Sequence, residues 1–367
     1  MSRDSLLHNV AELVNTQLRP LVEDIDRKGL YPESFLRELG KIGGFACVGS
    51  QEEGGSGLGL ATQIDVLREI GKACGATAFS AWCQAACAWY LHQTPNESVK
   101  RYLPDVLSAK VLAGTGMSNT VKHLADIEAH LLQAKPADGG YIVNGMLPWV
   151  SNLGDNHIWA NAAQTPDGYV MFITGAEHEG VSLIECPEFC ALEGTRTFGI
   201  KFDNVFVPHE DVLAEPDQFE DYIKIIKPGF ILLQNGMAEG IIDDCLKEIE
   251  IANVGSETNY FLENGIEELS KRHHTLLLKT KKLADDADQN QANMLETLQL
   301  RADISVLTLD AAQSAVLHAG AKGYLMSSPV QRRAREAAFV AIVTPALKHL
   351  LKEISELEFM GSDEFSI

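Results

Sequence analysis

Apolar residues recur every three to four positions up to about residue 110, alternate with polar ones from about 111 to 213, and return to helical spacing from about 218 onward. In the first block Leu6, Leu7, Val10, Leu13, Val14, Leu18 and Leu21 lie on one helical stripe. Pro32 opens a second helix with an apolar face of Phe35, Leu36, Leu39 and Ile42, ended by Gly43-Gly44. A further helix runs from near Thr62 to Cys74, and Asn96 caps another carrying Val99, Leu103, Val106 and Leu107. In the middle block, Asp138-Gly139-Gly140, Pro166-Asp167-Gly168 and Glu193-Gly194 are turn signals between short strands, which suggests a compact antiparallel barrel or sandwich. The last block predicts a four-helix bundle: near Tyr222 to Ala252 with an interruption at Pro228-Gly229, then about 257–287, about 290–319, and a final helix from Ser328. There Ser328, Pro329 and Gln331 predict a capping box. The expected units are therefore 1–110 helical, 111–215 β and 216–367 helical, an α+β multidomain chain.

Composition narrows the function classes. The 367 residues carry a formal net charge of -21, which argues against a nucleic-acid or anionic-membrane partner. No apolar run reaches membrane-span length and Met1-Ser2-Arg3-Asp4 does not open a signal peptide, so a cytoplasmic location is expected. Seven cysteines without a Cys-x-x-Cys read as reduced, buried thiols. Cys83 and Cys87 stand one helical turn apart, but no second pair completes a metal site, so no metal is expected. Adjacent His273 and His274, beside Lys271 and Arg272, read as surface residues.

The glycine-rich run Glu52-Glu53-Gly54-Gly55-Ser56-Gly57-Leu58-Gly59 lacks phosphate-loop spacing and a preceding strand, so it reads as a loop between helices. Gly114-Thr115-Gly116-Met117-Ser118-Asn119-Thr120 reads as a glycine-bounded polar loop. Gly140 to Asn152 reads as a strand leaving a hairpin, with a flat ring (Trp149), a hydroxyl (Ser151) and an amide (Asn152) at its far end. That set can wall a planar hydrogen-bonding ligand.

These stretches resemble the acyl-CoA dehydrogenase family of flavoproteins. The resemblance rests on Asp-Gly-Gly-Tyr…Asn-Gly…Trp-Val-Ser-Asn, the Glu-x-Gly-Gly-x-Gly loop, Phe202-Asp203-Asn204-Val205-Phe206-Val207-Pro208, and Gly320-Ala321-Lys322-Gly323-Tyr324 followed by Pro329-Val330 and Arg332. It covers nearly the whole chain. It implies the family's fold, FAD (or FMN) as cofactor, a homodimer or homotetramer, and an acyl thioester as the small-molecule substrate. It further implies flavin contacts at Met117, Ser118, Trp149, Val150, Ser151 and Gly320.

The family's proton acceptor has no counterpart. Its usual glutamate matches Thr344, and the first-bundle-helix alternative matches a position near Ile226. Glu239 and Glu336 are the remaining candidates, and the catalytic residues stay unassigned. The phosphate-side contacts are also replaced: residues 251–257 hold no arginine, and Leu317 and Leu147 stand where a glutamine and a lysine are usual. Three readings follow: an α,β-desaturating oxidoreductase acting on CH–CH groups of an acyl thioester, a reduced-flavin monooxygenase of the same fold, and a catalytically degenerate homologue with a binding or scaffold role.

Overall fold

The computed structural model describes residues 1–363; residues 364–367, the end of the expected C-terminal unit, lie outside them. Helices come first: α1 (Arg3–Leu13), α2 (Val22–Lys28), α3 (Glu33–Lys41), α4 (Gly59–Gly71), α5 (Gly75–Gln93) and α6 (Leu103–Leu107). The α1 stripe buries Leu6 and Val10, and α3 buries Phe35, Leu36 and Leu39, as their spacing predicts. Helix α5 is buried all round from Gly75 to Leu91 and forms the axis on which the other layers pack. The run from Glu52 to Gly57 is a turn-rich loop between α3 and α4.

A sheet follows: β1 (Ala113–Thr115), the short helix α7 (Ser118–Leu124), then β2 (Leu132–Ala137), β3 (Gly140–Val150), β4 (Ile158–Thr165), β5 (Gly168–Gly175), β6 (Val181–Glu185), β7 (Phe198–Pro208) and β8 (Val212–Ala214). The strand order is β6-β7-β3-β2-β4-β5-β8, with β1 beside β4. Both sequence-read hairpins form, closing at Ala137↔Gly140 and Thr165↔Gly168. The path is open rather than a closed barrel, and β1·β4 and β2·β4 are parallel pairs. The expected loop at Gly114–Thr120 is instead strand β1 leading into α7.

The C-terminal helices are α8 (Phe219–Asn253), α9 (Ile266–Asp288), α10 (Met294–Ala319), α11 (Pro329–Ile342) and α12 (Leu347–Asp363). Three expectations change here. Helix α8 runs through Pro228-Gly229 unbroken. Gly229 has no side chain because a Cβ would stand 2.4 Å from the Trp89 ring, and Trp89 Nε1 donates to the Ile226 carbonyl at 3.1 Å. The dipeptide is a docking point for an indole. The expected last helix is two, because Pro345 cannot continue α11. Ser328 sits at the N-cap of α11, but its side chain makes no capping hydrogen bond, so the capping box does not form.

His273 is buried, with Nε2 3.0 Å from Asp243 Oδ1, while His274 is exposed. Successive helical side chains diverge by about 100°, so one of two adjacent histidines can face inward. Five cysteines are buried, Cys186 is half-buried and Cys190 is exposed; all seven are free. No cluster of three metal-ligating side chains occurs among the described residues, and no helix there is long and apolar enough to cross a membrane.

Helix α8 meets α4 through glycine. A Cβ on Gly240 would stand 2.4 Å from the Arg68 carbonyl oxygen, and one on Gly236 2.5 Å from that of Ile64. Neither backbone can yield without separating the helices. Gly240→Val is therefore expected to lower stability by about 1–3 kcal/mol or more, read as a shift in the urea midpoint. An unchanged midpoint would contradict this packing.

Candidate functional site

The site lies where β1 passes the end of β3. Gly114 and Gly116 permit the crossing: a Cβ on Gly114 would stand 2.7 Å from the Ser151 carbonyl oxygen, and one on Gly116 2.5 Å from Asn161 Oδ1 and 2.9 Å from Leu147 Cδ1. Asn152, at φ +63°, donates from Nδ2 to the Ala113 carbonyl (2.8 Å) and accepts from the Tyr31 hydroxyl at 2.6 Å. These contacts bring Met117-Ser118, at the start of α7, to the end of β3 that carries Trp149 to Ser151.

The expected set behaves unevenly. Trp149 is 62% exposed, a large ring left open to solvent and edge-to-face with Phe189 (centroids 6.1 Å apart). Ser151 joins a run of hydroxyls: its Oγ is 2.6 Å from Thr197 Oγ1, which is 2.8 Å from Thr195 Oγ1. Val150 is buried in the sheet's own core, leaving only its backbone to face a ligand. Ser118 Oγ is 2.6 Å from Thr344 Oγ1. Gly320 stands at the C-cap of α10 at φ +60°, with nothing beyond its chain neighbours within 4 Å of where a Cβ would be. It is not joined to the other five.

Met117 lines an apolar cavity of about 60 Å³ together with Tyr90, Val121, Leu124, Ile226 and Phe230. Lys227 borders it too. The two positions matched to the family's proton acceptor, Thr344 in the link between α11 and α12 and Ile226 on α8, thus converge on Met117-Ser118, and neither is acidic. The two other candidates are engaged elsewhere. Glu336 accepts from the Gly75 N–H (3.0 Å) and pairs with Arg333 (2.6 Å) and Arg332 (3.3 Å). Glu239 is buried between α8 and α9 and accepts from the Thr280 hydroxyl at 2.7 Å.

Burial pushes the Glu239 carboxyl up to about 8, with the Thr280 hydrogen bond opposing. The folded state therefore keeps a proton that the unfolded chain releases above its ordinary range. Stability falls as pH rises from about 4.5 to about 8, and is level above that. Glu239→Gln, an isostere of the neutral acid, is expected to flatten this slope by a few kcal/mol. Urea midpoints of both proteins at pH 5.5 and 8 check it; equal slopes would contradict it.

Two contributors escaped the sequence reading. Gln234 donates from Nε2 to the Thr344 carbonyl (2.8 Å) and accepts from Arg301 Nε at 3.1 Å. Arg301 is fully buried, with further bonds to Ser305 and to the Val340 carbonyl (2.7 Å) and, among the described residues, to no carboxylate. Burial lowers it to about 10, still charged at neutral pH. This cation, which has no counter-ion among the described residues, stands two hydrogen bonds behind Thr344. Its position on the buried stripe of α10, with Leu298, Ser305 and Thr308, was the available signal.

A bound flavin would meet different conditions at its two ends. The exposed Trp149 ring, the Ser151–Thr197–Thr195 hydroxyls and the Ser118–Thr344 pair fit a flat heterocycle. At positions that the resemblance matches to the family's phosphate contacts, Ile251, Val254 and Leu317 are exposed apolar side chains, which offer no charge or donor.

Residues 2–110 match the family described as Acyl-CoA dehydrogenase, N-terminal domain. The mitochondrial 2-methylacyl-CoA dehydrogenase of Solanum tuberosum is 29% identical over 217 residues, 56% of this chain and 52% of that protein. The chain thus spans about half the length of the first curated relatives it matches. The probable acyl-CoA dehydrogenase YngJ of Bacillus subtilis (strain 168) is 23% identical over 351 residues, 91% of each chain. The solved glutaryl-coenzyme A dehydrogenase with glutaryl-CoA superposes with a TM-score of 0.89 at 22% identity, covering 98% of this chain and 96% of that one. PigA with FAD and proline superposes at 0.83 with 16% identity, covering 97% of both. At these identities the structural likeness establishes the fold.

Proposed function

Given that this chain belongs with the acyl-CoA dehydrogenases in its fold and its N-terminal domain, we propose that it is a flavin-dependent oxidoreductase acting on a short acyl group, nominally an acyl thioester. The observation that carries this is the exposed Trp149 ring two residues before the Ser151 hydroxyl at the end of β3, which β1 passes on its way to the Ser118–Thr344 pair. FAD, the cofactor in the PigA complex, supplies the hydride acceptor when bound.

The chain's own residues then do the following. Trp149 would stack against the heterocycle, and Ser118 and Ser151 would donate hydrogen bonds to its edge. The backbone at Met117 and Val150 would border it, and Gly320 would offer open backbone to the dinucleotide of a second copy of the chain. The apolar cavity at Tyr90, Ile226 and Phe230 excludes water from the acyl end. Arg301, acting through Gln234 and Thr344, favours negative charge developing at the acyl carbonyl.

Proton abstraction is the weak step, because a threonine hydroxyl accepts no proton usefully at neutral pH. That absence favours a second reading, in which reduced flavin and oxygen hydroxylate the substrate without a protein carboxylate. Oxygen consumption by the pre-reduced protein, with and without substrate, separates the two.

Titrating FAD against tryptophan fluorescence tests the flavin reading. Saturable binding is expected, and Trp149→Leu is expected to weaken it about tenfold through lost stacking. Equal affinity of the two proteins would remove Trp149 from the site.

A further inference from the structure

Among the described residues, two buried polar atoms on α12 stand without partners. Glu353, on α12, pairs through Oε2 with Lys227 Nζ at 2.5 Å, while its Oε1 is buried and accepts no hydrogen bond. One helical turn earlier, His349 Nδ1 is also buried and unpartnered. Lys227 borders the cavity, so it ties the pair to that space. The Glu353 side chain is only 12% exposed. Buried polar atoms are nearly always hydrogen-bonded, and leaving one bare costs about 1–3 kcal/mol. Two such atoms one turn apart on a helix, one of them on a carboxylate paired with a cavity-lining lysine, point to something that completes them.

The charges around them restrict what that is. Lys227 already balances Glu353, so the cluster has no net charge to offer an ion. A ligand carboxylate would face the bare Glu353 oxygen, and a ligand ammonium would face the Lys227 ammonium. Burial holds His349 toward its neutral form; Lys348 and Lys122 act the same way, and Glu128 and Glu353 oppose it. A neutral imidazole adds one donor or one acceptor and no charge.

We propose that Lys227, Glu353 and His349 form the polar end of a ligand site whose apolar end is the Tyr90–Ile226–Phe230 cavity. The site takes a short aliphatic group that carries a neutral hydrogen-bond donor, a hydroxyl or an amide N–H. The donor bonds to Glu353 Oε1, and the aliphatic part displaces water from the cavity. This rests on reading that cavity as the seat of the substrate's acyl end, and it requires nothing of the flavin.

Ligand-observed saturation-transfer NMR on the full chain, with no flavin added, tests it with four probes of one size: 1-butanol, butyramide, butyrate and n-butylammonium. Butanol and butyramide are expected to bind, with both ions about tenfold weaker or more. The double variant Lys227→Met/Glu353→Leu, which replaces the ion pair with apolar side chains of similar bulk, is expected to lose the preference for the two neutral donors. Glu353→Gln, nearly isosteric, is expected to weaken them severalfold because a neutral acceptor replaces a charged one; it serves if the double variant does not fold. The proposal is overturned if an ion binds tightest, if no probe binds to the folded protein, or if the folded variants bind butanol and butyramide as the unaltered chain does. A chain that binds these probes but never FAD would sink the flavin reading and leave this one standing.

Discussion

Arg333→Met is expected to destabilise the protein by about 3–5 kcal/mol, the usual consequence of removing one partner from a buried ion network. The guanidinium is fully buried and bonds Asp244 (2.8 Å), Glu336 (2.6 Å) and the Lys72 carbonyl (2.7 Å). Methionine fills similar space but leaves Asp244 and Glu336 buried and facing each other's charge. Glu336 also holds the first N–H of α5 at Gly75, so its displacement would reach the axis of the fold. Replacing all three with apolar residues should cost less than the single change, because the desolvation of three charges is then relieved. Urea unfolding at pH 7 measures both. A single-variant loss below about 1 kcal/mol would show that solvent reaches the network.

Thr344→Glu is expected to raise the rate at which butyryl-CoA reduces bound FAD, anaerobically, by about 10²- to 10⁴-fold, the usual contribution of a positioned general base. The position is prepared for a carboxylate. The Thr344 carbonyl is held by Gln234, Arg301 stands behind that amide with no counter-ion among the described residues, and Ser118 faces the side chain. An uncompensated buried cation lowers the cost of ionising a new acid nearby. Stopped-flow absorbance reads the rate. A folded, flavin-binding variant that is no faster would mean that the acyl α-carbon does not approach residue 344.

The order of helices, sheet and helices was legible because hydrophobic period is a local property. Both hairpins were legible for the same reason: Asp138-Gly139 and Pro166-Asp167 each specify a turn within four residues. The errors came where a distant partner decides. Pro228-Gly229 looks like a break until Trp89, far away in the chain, is seen to need that glycine. His273 looks like surface until Asp243 on another helix claims it. Ser328 fits the capping pattern, yet its side chain makes no capping bond.

The site was legible by kind more than by member. The resemblance named the hydroxyls, the indole and Val150 alike as flavin contacts, but strand alternation turns the Val150 side chain into the sheet's core and leaves only its backbone for that role. Arg301, Gln234, Lys227 and Glu353 were invisible because each matters only through a neighbour on another helix. The absence of an acid at Thr344 and Ile226 was readable directly, and the geometry gives it weight by bringing both positions to Met117-Ser118.

The central claim is a flavin site without a protein carboxylate at its reacting end. The most direct test is the visible spectrum of the FAD-saturated protein, recorded anaerobically before and after excess butyryl-CoA. The expected result is a perturbed flavin band, showing that FAD is bound, that bleaches far more slowly with the thioester than it does in Thr344→Glu. An unperturbed band, or rapid and complete bleaching of the unaltered protein, would contradict it.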